Sequence, residues 1–176
     1  MAECDFTYYF KRNLADYLQK YFNKYKIELK VETEYSQKVR GVENKIDIGI
    51  FEKNKENSLI GIEIEFISNR NQIKKNYTNF KRWVHSSKNR TGGLIHIIFE
   101  SADLDGENVY KLFLKSYADT SEGKNFFYEF FYIDKFDGRE YNKLAKDLVL
   151  YNWEFDVRFF SLIIKIFGDQ YLTKLK

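Results

Sequence analysis

The chain has 176 residues, of which 44% are hydrophobic, so we expect a single domain over 1–176 with a proper core and little disorder. Its net charge of +3 is small, so any basic surface must come from the arrangement of residues. One cysteine excludes an internal disulfide, two histidines exclude a Cys/His zinc cluster, and the short apolar runs argue against a signal peptide or a membrane span. These features suit a cytoplasmic protein.

Helical and strand periods of apolar residues alternate along the chain. The predicted elements are, in order, helix 5–24, strand 27–35, a loop over 36–44, strand 45–51, a polar loop 52–57, strand 58–66, helix 69–85, strand 93–100, helix 107–117, strand 126–133, and helices 141–150 and 154–167. The first six elements have the order α-β-β-β-α-β. The second and third strands, joined by the polar loop, are expected to form a β-hairpin.

Three acidic residues lie on this hairpin. Asp47 alternates with isoleucines in one strand, and Glu63 and Glu65 alternate with isoleucines in the other. Because strand side chains alternate between faces, we expect the isoleucines on one face and the three acids together on the opposite, outward face. Clustered carboxylates repel one another, and a divalent cation is the usual reason to tolerate this. The alternative is that they are ordinary solvated residues.

One Asp on a strand, followed by acid-x-acid on the next, resembles the PD-(D/E)xK nuclease superfamily, which includes many restriction endonucleases. The resemblance implies an α/β (α+β) restriction-endonuclease-like fold. Its αβββαβ core, over about 5–100, has a central mixed sheet flanked by helices. The remaining αβα extension, over about 101–176, adds C-terminal helices and contains no motif of the family. Asp47 matches the motif Asp and Glu63 the (D/E), whereas Glu65 stands where most members have Lys. A minority of type II restriction enzymes are similar in having Glu there. This departure leaves open both a catalytic Glu65 and a loss of activity.

The family resemblance implies a Mg²⁺-dependent DNA endonuclease, with Mn²⁺ as an alternative ion. Asp47, Glu63 and the carbonyl oxygen of Ile64 would bind the metal, which prefers hard oxygen ligands. Glu65 would orient or deprotonate the attacking water, or help to bind a second metal.

Other residues are candidates for the same site. Glu34 resembles the additional acid that many family members have near the end of the first strand, although Glu32 competes for this role. Gln72 begins the second helix, where related nucleases often have a polar residue near the metal. Lys45 or Lys74 could supply the positive charge of the missing motif Lys, and the sequence does not choose between them.

Residues 68–90 contain seven Lys or Arg and no acid. Arg70, Lys74, Lys75 and Arg82 are therefore candidates to contact a phosphate backbone. The alternative is a solvated helix face. His96 alternates with apolar neighbours and is expected to be a satisfied interior histidine.

Three functions stay open from the sequence: a DNA endonuclease, for example in restriction or anti-phage defence; a non-catalytic nucleic-acid-binding subunit on the same fold; and an unrelated α/β interaction protein. The predicted C-terminal helices are so rich in apolar residues that we expect them to need a second covering surface, from another element of this chain or from a partner chain. The sequence thus predicts a homodimer, or a complex with a larger subunit, through residues 141–175.

Overall fold

A computed structural model describes residues 5–39, 42–53, 57–66, 70–99, 115, 125–133 and 140–174. The elements are α1 (Asp5–Lys24), β1 (Leu29–Val39), β2 (Val42–Glu52), β3 (Ser58–Glu65), α2 (Arg70–His85), β4 (Thr91–Phe99), β5 (Phe126–Ile133), α3 (Tyr141–Leu150), α4 (Trp153–Phe167) and a 3-10 helix (Asp169–Lys174). The predicted order α-β-β-β-α-β is confirmed for the first six elements. The predicted helix 107–117 lies outside the described residues, apart from Lys115.

The five strands form one mixed sheet in the order β1-β2-β3-β4-β5. β1, β2 and β3 are antiparallel neighbours, whereas β4 runs parallel to β3 and β5 runs parallel to β4. α2 connects β3 to β4, as a parallel pair requires. The expected mixed sheet with flanking helices is therefore present.

Helices cover both faces of the sheet. On one face, here called the α1–α4 face, the strands contribute Ile48, Ile50, Ile60, Ile62, Ile64, Ile95, Ile97, Phe99 and Phe131. α1 packs on this face because its apolar residues recur every four positions, as in Phe6, Phe10 and Leu14. The other face, here called the α2 face, packs Ile46, Leu59, Leu94, Phe126 and Tyr128 against α2.

Glycines allow α2 to lie directly on its face of the sheet. A Cβ atom at Gly61 would lie 2.6 Å from Phe80 Cε2, and one at Gly92 would lie 2.5 Å from Val84 Cγ2. Both distances are too short for real contacts, so any side chain at either position would push α2 away. The ring of Phe80 occupies the space that these side chains would need.

The apolar residues of α4 are covered mainly within the chain itself. Phe155 packs against Phe131 of β5, and Phe159 stacks with Phe22 of α1 at 6.1 Å between ring centroids. α4 begins at Asn152, whose side chain accepts a hydrogen bond from the Phe155 N–H at 2.9 Å. The second covering surface expected for α4 is therefore supplied by other elements of this chain, α1 and the sheet.

A smaller apolar patch is exposed at the corner between α3 and α4. Trp153 is 77% exposed and Tyr151 is 71% exposed, and Leu150 and Val157 are also exposed. The homodimer or larger complex stays a prediction. Within the described part of the chain, no helix combines the length and the apolar character needed to cross a membrane.

The β1–β2 hairpin differs from the sequence prediction. Residues 36–39 and 42–44 continue the two strands, with Ser36 paired to Lys45 and Val39 paired to Val42, so the predicted loop over 36–44 is wrong. The polar residues over 36–38 and 43–45 leave no apolar alternation in the sequence, so a periodicity argument does not detect these parts of the strands. Ile46 also differs, since it packs on the α2 face and not with the other isoleucines.

Candidate functional site

β2 and β3 separate beside the acidic residues. The ladder between these strands ends at Ile48 and Ile62, and Asp47 is the next residue of β2. The Asp47 carboxylate accepts a hydrogen bond from the Ile64 N–H at 2.8 Å. A side chain thus provides an acceptor across the gap where the regular strand pairing has stopped.

Asp47 and Glu63 lie close enough to affect each other's charge. Burial raises the pKa of the Glu63 carboxyl well above its usual range, and the charge of Asp47 is the next cause. Glu65 and Glu34 raise this pKa further, whereas a hydrogen bond with the Asp47 backbone lowers it. Asp47, Glu65 and Glu34 therefore all act on the charge of the Glu63 carboxyl.

A lysine from α1, which the sequence did not single out, reaches the acidic residues. The Lys11 side chain is only 2% exposed, and its Nζ lies 3.6 Å from Asp47 Oδ1 and in direct contact with Glu34 Oε1. Glu34 is 48% exposed and has a positive φ of 54° within β1. Lys11 thus links Glu34 to Asp47. Lys45 and Lys74, the cations proposed from the sequence, are both exposed.

Lys11 could have been identified from the sequence, because it interrupts the apolar stripe of the predicted helix. It lies three, four and seven positions before Leu14, Ala15 and Leu18, all of which are buried. A charged residue in an apolar stripe of a helix requires a partner, because burial of an unpaired charge is costly. This position was the signal that sequence reasoning missed.

Glu65 lies beneath α2 and not on an outward face, so the predicted exposure of all three acids is wrong. Its side chain is 3% exposed and accepts a hydrogen bond from Asn76 Nδ2 at 2.8 Å. The exposed Gln72 donates in turn to Asn76 Oδ1 at 3.0 Å. Gln72 therefore connects to Glu65 through Asn76, in a polar chain that runs from the helix surface to the sheet.

His96 is an interior residue, as predicted. It is fully buried beside Tyr128, with 2.7 Å between His96 Nδ1 and the tyrosine hydroxyl. Its Nε2 lies 3.6 Å from Glu65 Oε1, too far for a hydrogen bond, so only one ring nitrogen is satisfied. Burial lowers the pKa of His96 to about 3.

The oxygen atoms at this site suit a hard divalent cation. Among the described residues, no group of three or more His, Cys, Asp or Glu side chains is assembled as a metal cluster. Mg²⁺ commonly binds through one or two carboxylates and completes its octahedron with water and substrate phosphates. Asp47 and Glu63 provide two such carboxylates with unfavourable mutual repulsion, which a cation would relieve. The proposed Ile64 carbonyl ligand stays a prediction.

Three of the basic residues proposed on α2 face away from the core. Lys74, Lys75 and Arg82 are exposed, and Arg70 is the first residue of the helix. The opposite side of the helix is buried through Ile73, Tyr77, Phe80, Trp83 and Val84. Because the fold does not depend on the exposed basic side chains, they can contact a ligand.

No family model, curated protein or solved structure matches this chain.

Proposed function

We propose that the protein is a metal-dependent endonuclease that hydrolyses phosphodiester bonds in DNA, of the PD-(D/E)xK type. The observation that carries the proposal is the position of Asp47 and Glu63 at the point where β2 and β3 separate, with the pKa of Glu63 raised by neighbouring carboxylates. The α-β-β-β-α-β order of the first six elements supports it as well. Restriction or anti-phage defence is the setting that we propose for this activity.

The residues at the site have complementary roles in this proposal. Asp47 and Glu63 hold Mg²⁺, or Mn²⁺ in its place, and Asp47 is oriented by the Ile64 N–H. When bound, such an ion lowers the pKa of a water molecule and offsets negative charge on the phosphate. Lys11 provides a fixed positive charge beside Asp47, as the motif Lys does in most family members. Glu34 holds Lys11 from its other side.

Glu65 fits a positioning role better than direct proton transfer. A general base must reach the water from which it removes a proton. Glu65 is buried and already accepts a hydrogen bond from Asn76. In this proposal it keeps α2 in place beside Glu63, and Gln72 supports the same chain of hydrogen bonds.

Exposed basic residues of α2 would bind the phosphate backbone. Each Lys or Arg that neutralises a phosphate releases counterions, so binding must weaken as salt rises. Replacing Lys74, Lys75 and Arg82 together by Ala should make the log-log salt slope shallower by roughly 0.9 per lost contact on duplex DNA. Metal affinity should be unchanged. An unchanged slope would show that this face is simply solvated.

The proposed activity can be tested with supercoiled plasmid and Mg²⁺, Mn²⁺ or EDTA. The wild-type chain should convert the plasmid to the open circular form only with a metal ion. Asp47→Asn and Glu63→Gln should each abolish this conversion, whereas Glu32→Gln, an exposed acid on β1, should cleave normally. Circular dichroism of all variants checks that the fold is kept. Cleavage by Asp47→Asn at the wild-type rate would overturn the proposed site.

A non-catalytic nucleic-acid-binding subunit is the second candidate. It is favoured by the contact of Lys11 with Asp47, because a lysine can neutralise the acidic residues without a metal. In that case the wild-type chain would bind DNA but would not cleave it with either ion. The plasmid assay and a binding assay therefore separate the two functions.

A further inference from the structure

The β1–β2 hairpin extends past the rest of the sheet. β1 and β2 stay paired as far as Val39 and Val42, whereas the β2–β3 ladder ends at Ile48. The two-stranded segment made of residues 35–39 and 42–46 is called the ribbon below. Each of its strands has five residues, which span roughly 16 Å at about 3.3 Å per residue.

The base of the ribbon is fixed on the α2 side of the sheet. Glu34, with its positive φ of 54°, interrupts the alternation of β1 just before the ribbon begins. Tyr35 and its strand partner Ile46 then pack on the α2 face, and β1 and α2 are in contact. The ribbon therefore starts next to Asp47, and Tyr35 and Ile46 hold its base against α2. Because side chains alternate along a strand, Ser36, Lys38, Glu43 and Lys45 share the opposite face of the ribbon.

Charged and polar side chains cover the described part of the ribbon. Lys38 and Lys45 are exposed, and so are Ser36 and Glu43. The Glu43 carboxylate accepts a hydrogen bond from the Ser36 hydroxyl across the ribbon, so the acid is engaged within the ribbon itself. Among the ribbon side chains that the structure describes, Lys38 and Lys45 exceed the one acid, Glu43, by a single positive charge.

We propose that the ribbon enters the major groove of duplex DNA while the acidic residues at its base face the phosphate backbone. The major groove of B-form DNA is about 12 Å wide and admits a two-stranded β-ribbon, whose strands lie about 4.8 Å apart. Lysine donates to the O6 and N7 acceptors of guanine in that groove, and to phosphates at its rim. The major groove of A-form RNA is too narrow for such an element.

This inference rests on the proposed function and narrows its substrate to B-form duplex DNA. Lys38→Ala with Lys45→Ala is the test variant. Lys20→Ala with Lys146→Ala is the matched control, since these exposed lysines lie on α1 and α3, away from the ribbon and α2. Binding of a fluorescent 20-base-pair duplex is measured by anisotropy at several NaCl concentrations in EDTA, so that cleavage plays no part.

The ribbon variant should show a log-log salt slope shallower by roughly 1.8, or about 0.9 for each of two lost contacts. The wild-type chain should protect guanine N7 from methylation, and the ribbon variant should lose this protection. The control variant should behave as the wild type does.

If the wild-type chain binds DNA and the ribbon variant has an unchanged salt slope and unchanged protection, the ribbon inference alone is overturned. Equal affinity for an RNA duplex of the same length also overturns it, whereas absence of any DNA binding by the wild type overturns the proposed function too.

Discussion

Buried His96 makes the stability of this protein sensitive to acid. Its folded pKa of about 3 lies below the ordinary histidine value of 6.5, because burial disfavours the imidazolium form. The unfolded chain therefore binds the proton more readily than the folded chain does. Stability from this residue is complete above pH 6.5 and falls as the pH approaches the folded pKa.

The size of the effect follows from the two pKa values. At pH 5 the solution is 1.5 pH units below the unfolded histidine pKa of 6.5. Each of these pH units lowers the free energy of unfolding by about 1.4 kcal/mol. The His96 contribution is thus a loss of about 2 kcal/mol in the free energy of unfolding. For a chain of this size, that corresponds to a decrease of roughly 4–8 °C in Tm.

His96→Asn isolates this contribution, because asparagine does not titrate and its amide can replace Nδ1 as the partner of the Tyr128 hydroxyl. Urea unfolding of both proteins at pH 7.5 and pH 5 gives the four free energies needed. The exposed His85 and the carboxylates are common to both proteins and cancel in the difference. The wild type should lose about 2 kcal/mol more than the variant. Equal losses would refute the reasoning and would mean that folded His96 keeps its proton, shared with Glu65 across the 3.6 Å gap.

Glu63→Gln should raise the free energy of unfolding at pH 8 without metal, because the raised pKa of Glu63 makes its ionised form costly. The gain should shrink towards pH 4.5. A variant that is less stable than the wild type at pH 8 would contradict this. Glu65→Ala should lower the free energy of unfolding by about 1–3 kcal/mol, because it leaves the Asn76 amide without its acceptor, whereas the exposed control Glu32→Ala should change it by less than about 0.5 kcal/mol. If Glu65→Ala is as stable as the wild type in urea, Glu65 is an exposed residue and not a buried one. Lys11→Met should tighten Mg²⁺ binding about tenfold or more in calorimetry, because it removes a cation beside the proposed metal ligands. Plasmid cleavage by this variant should be slower. Weaker Mg²⁺ binding would contradict the proposal that Lys11 places a positive charge beside the metal ligands.

The sequence predicted elements best where one side of an element is apolar. α1 was predicted to its end residues, because Phe6, Phe10 and Leu14 repeat at a helical period, and α3 was predicted equally well. The ribbon was missed because its strands satisfy each other through backbone pairing, while polar residues over 36–38 and 43–45 leave no apolar alternation in the sequence. A period-two apolar pattern exists only where a face is buried.

The candidate site was predicted in part for a similar reason. Asp47 and Glu63 are near in sequence to the hairpin loop that brings their strands together, so their proximity could be inferred. Lys11 lies far along the chain from Asp47, and only the packing of α1 on the sheet brings the two together. The burial of Glu65 also depends on α2, and the local sequence does not predict that α2 lies over β3.

Glu34 combines a strained backbone with an ion pair to a buried lysine. A left-handed backbone is common where a helix ends, as at Lys26, but Glu34 adopts it within a strand, where a residue other than glycine costs of order 1–3 kcal/mol. Glycine or asparagine would relieve that strain but would remove the carboxylate that contacts Lys11. Because Lys11 is 2% exposed and the burial of an unpaired charge is costly, the strained residue Glu34 offsets a cost that arises on α1.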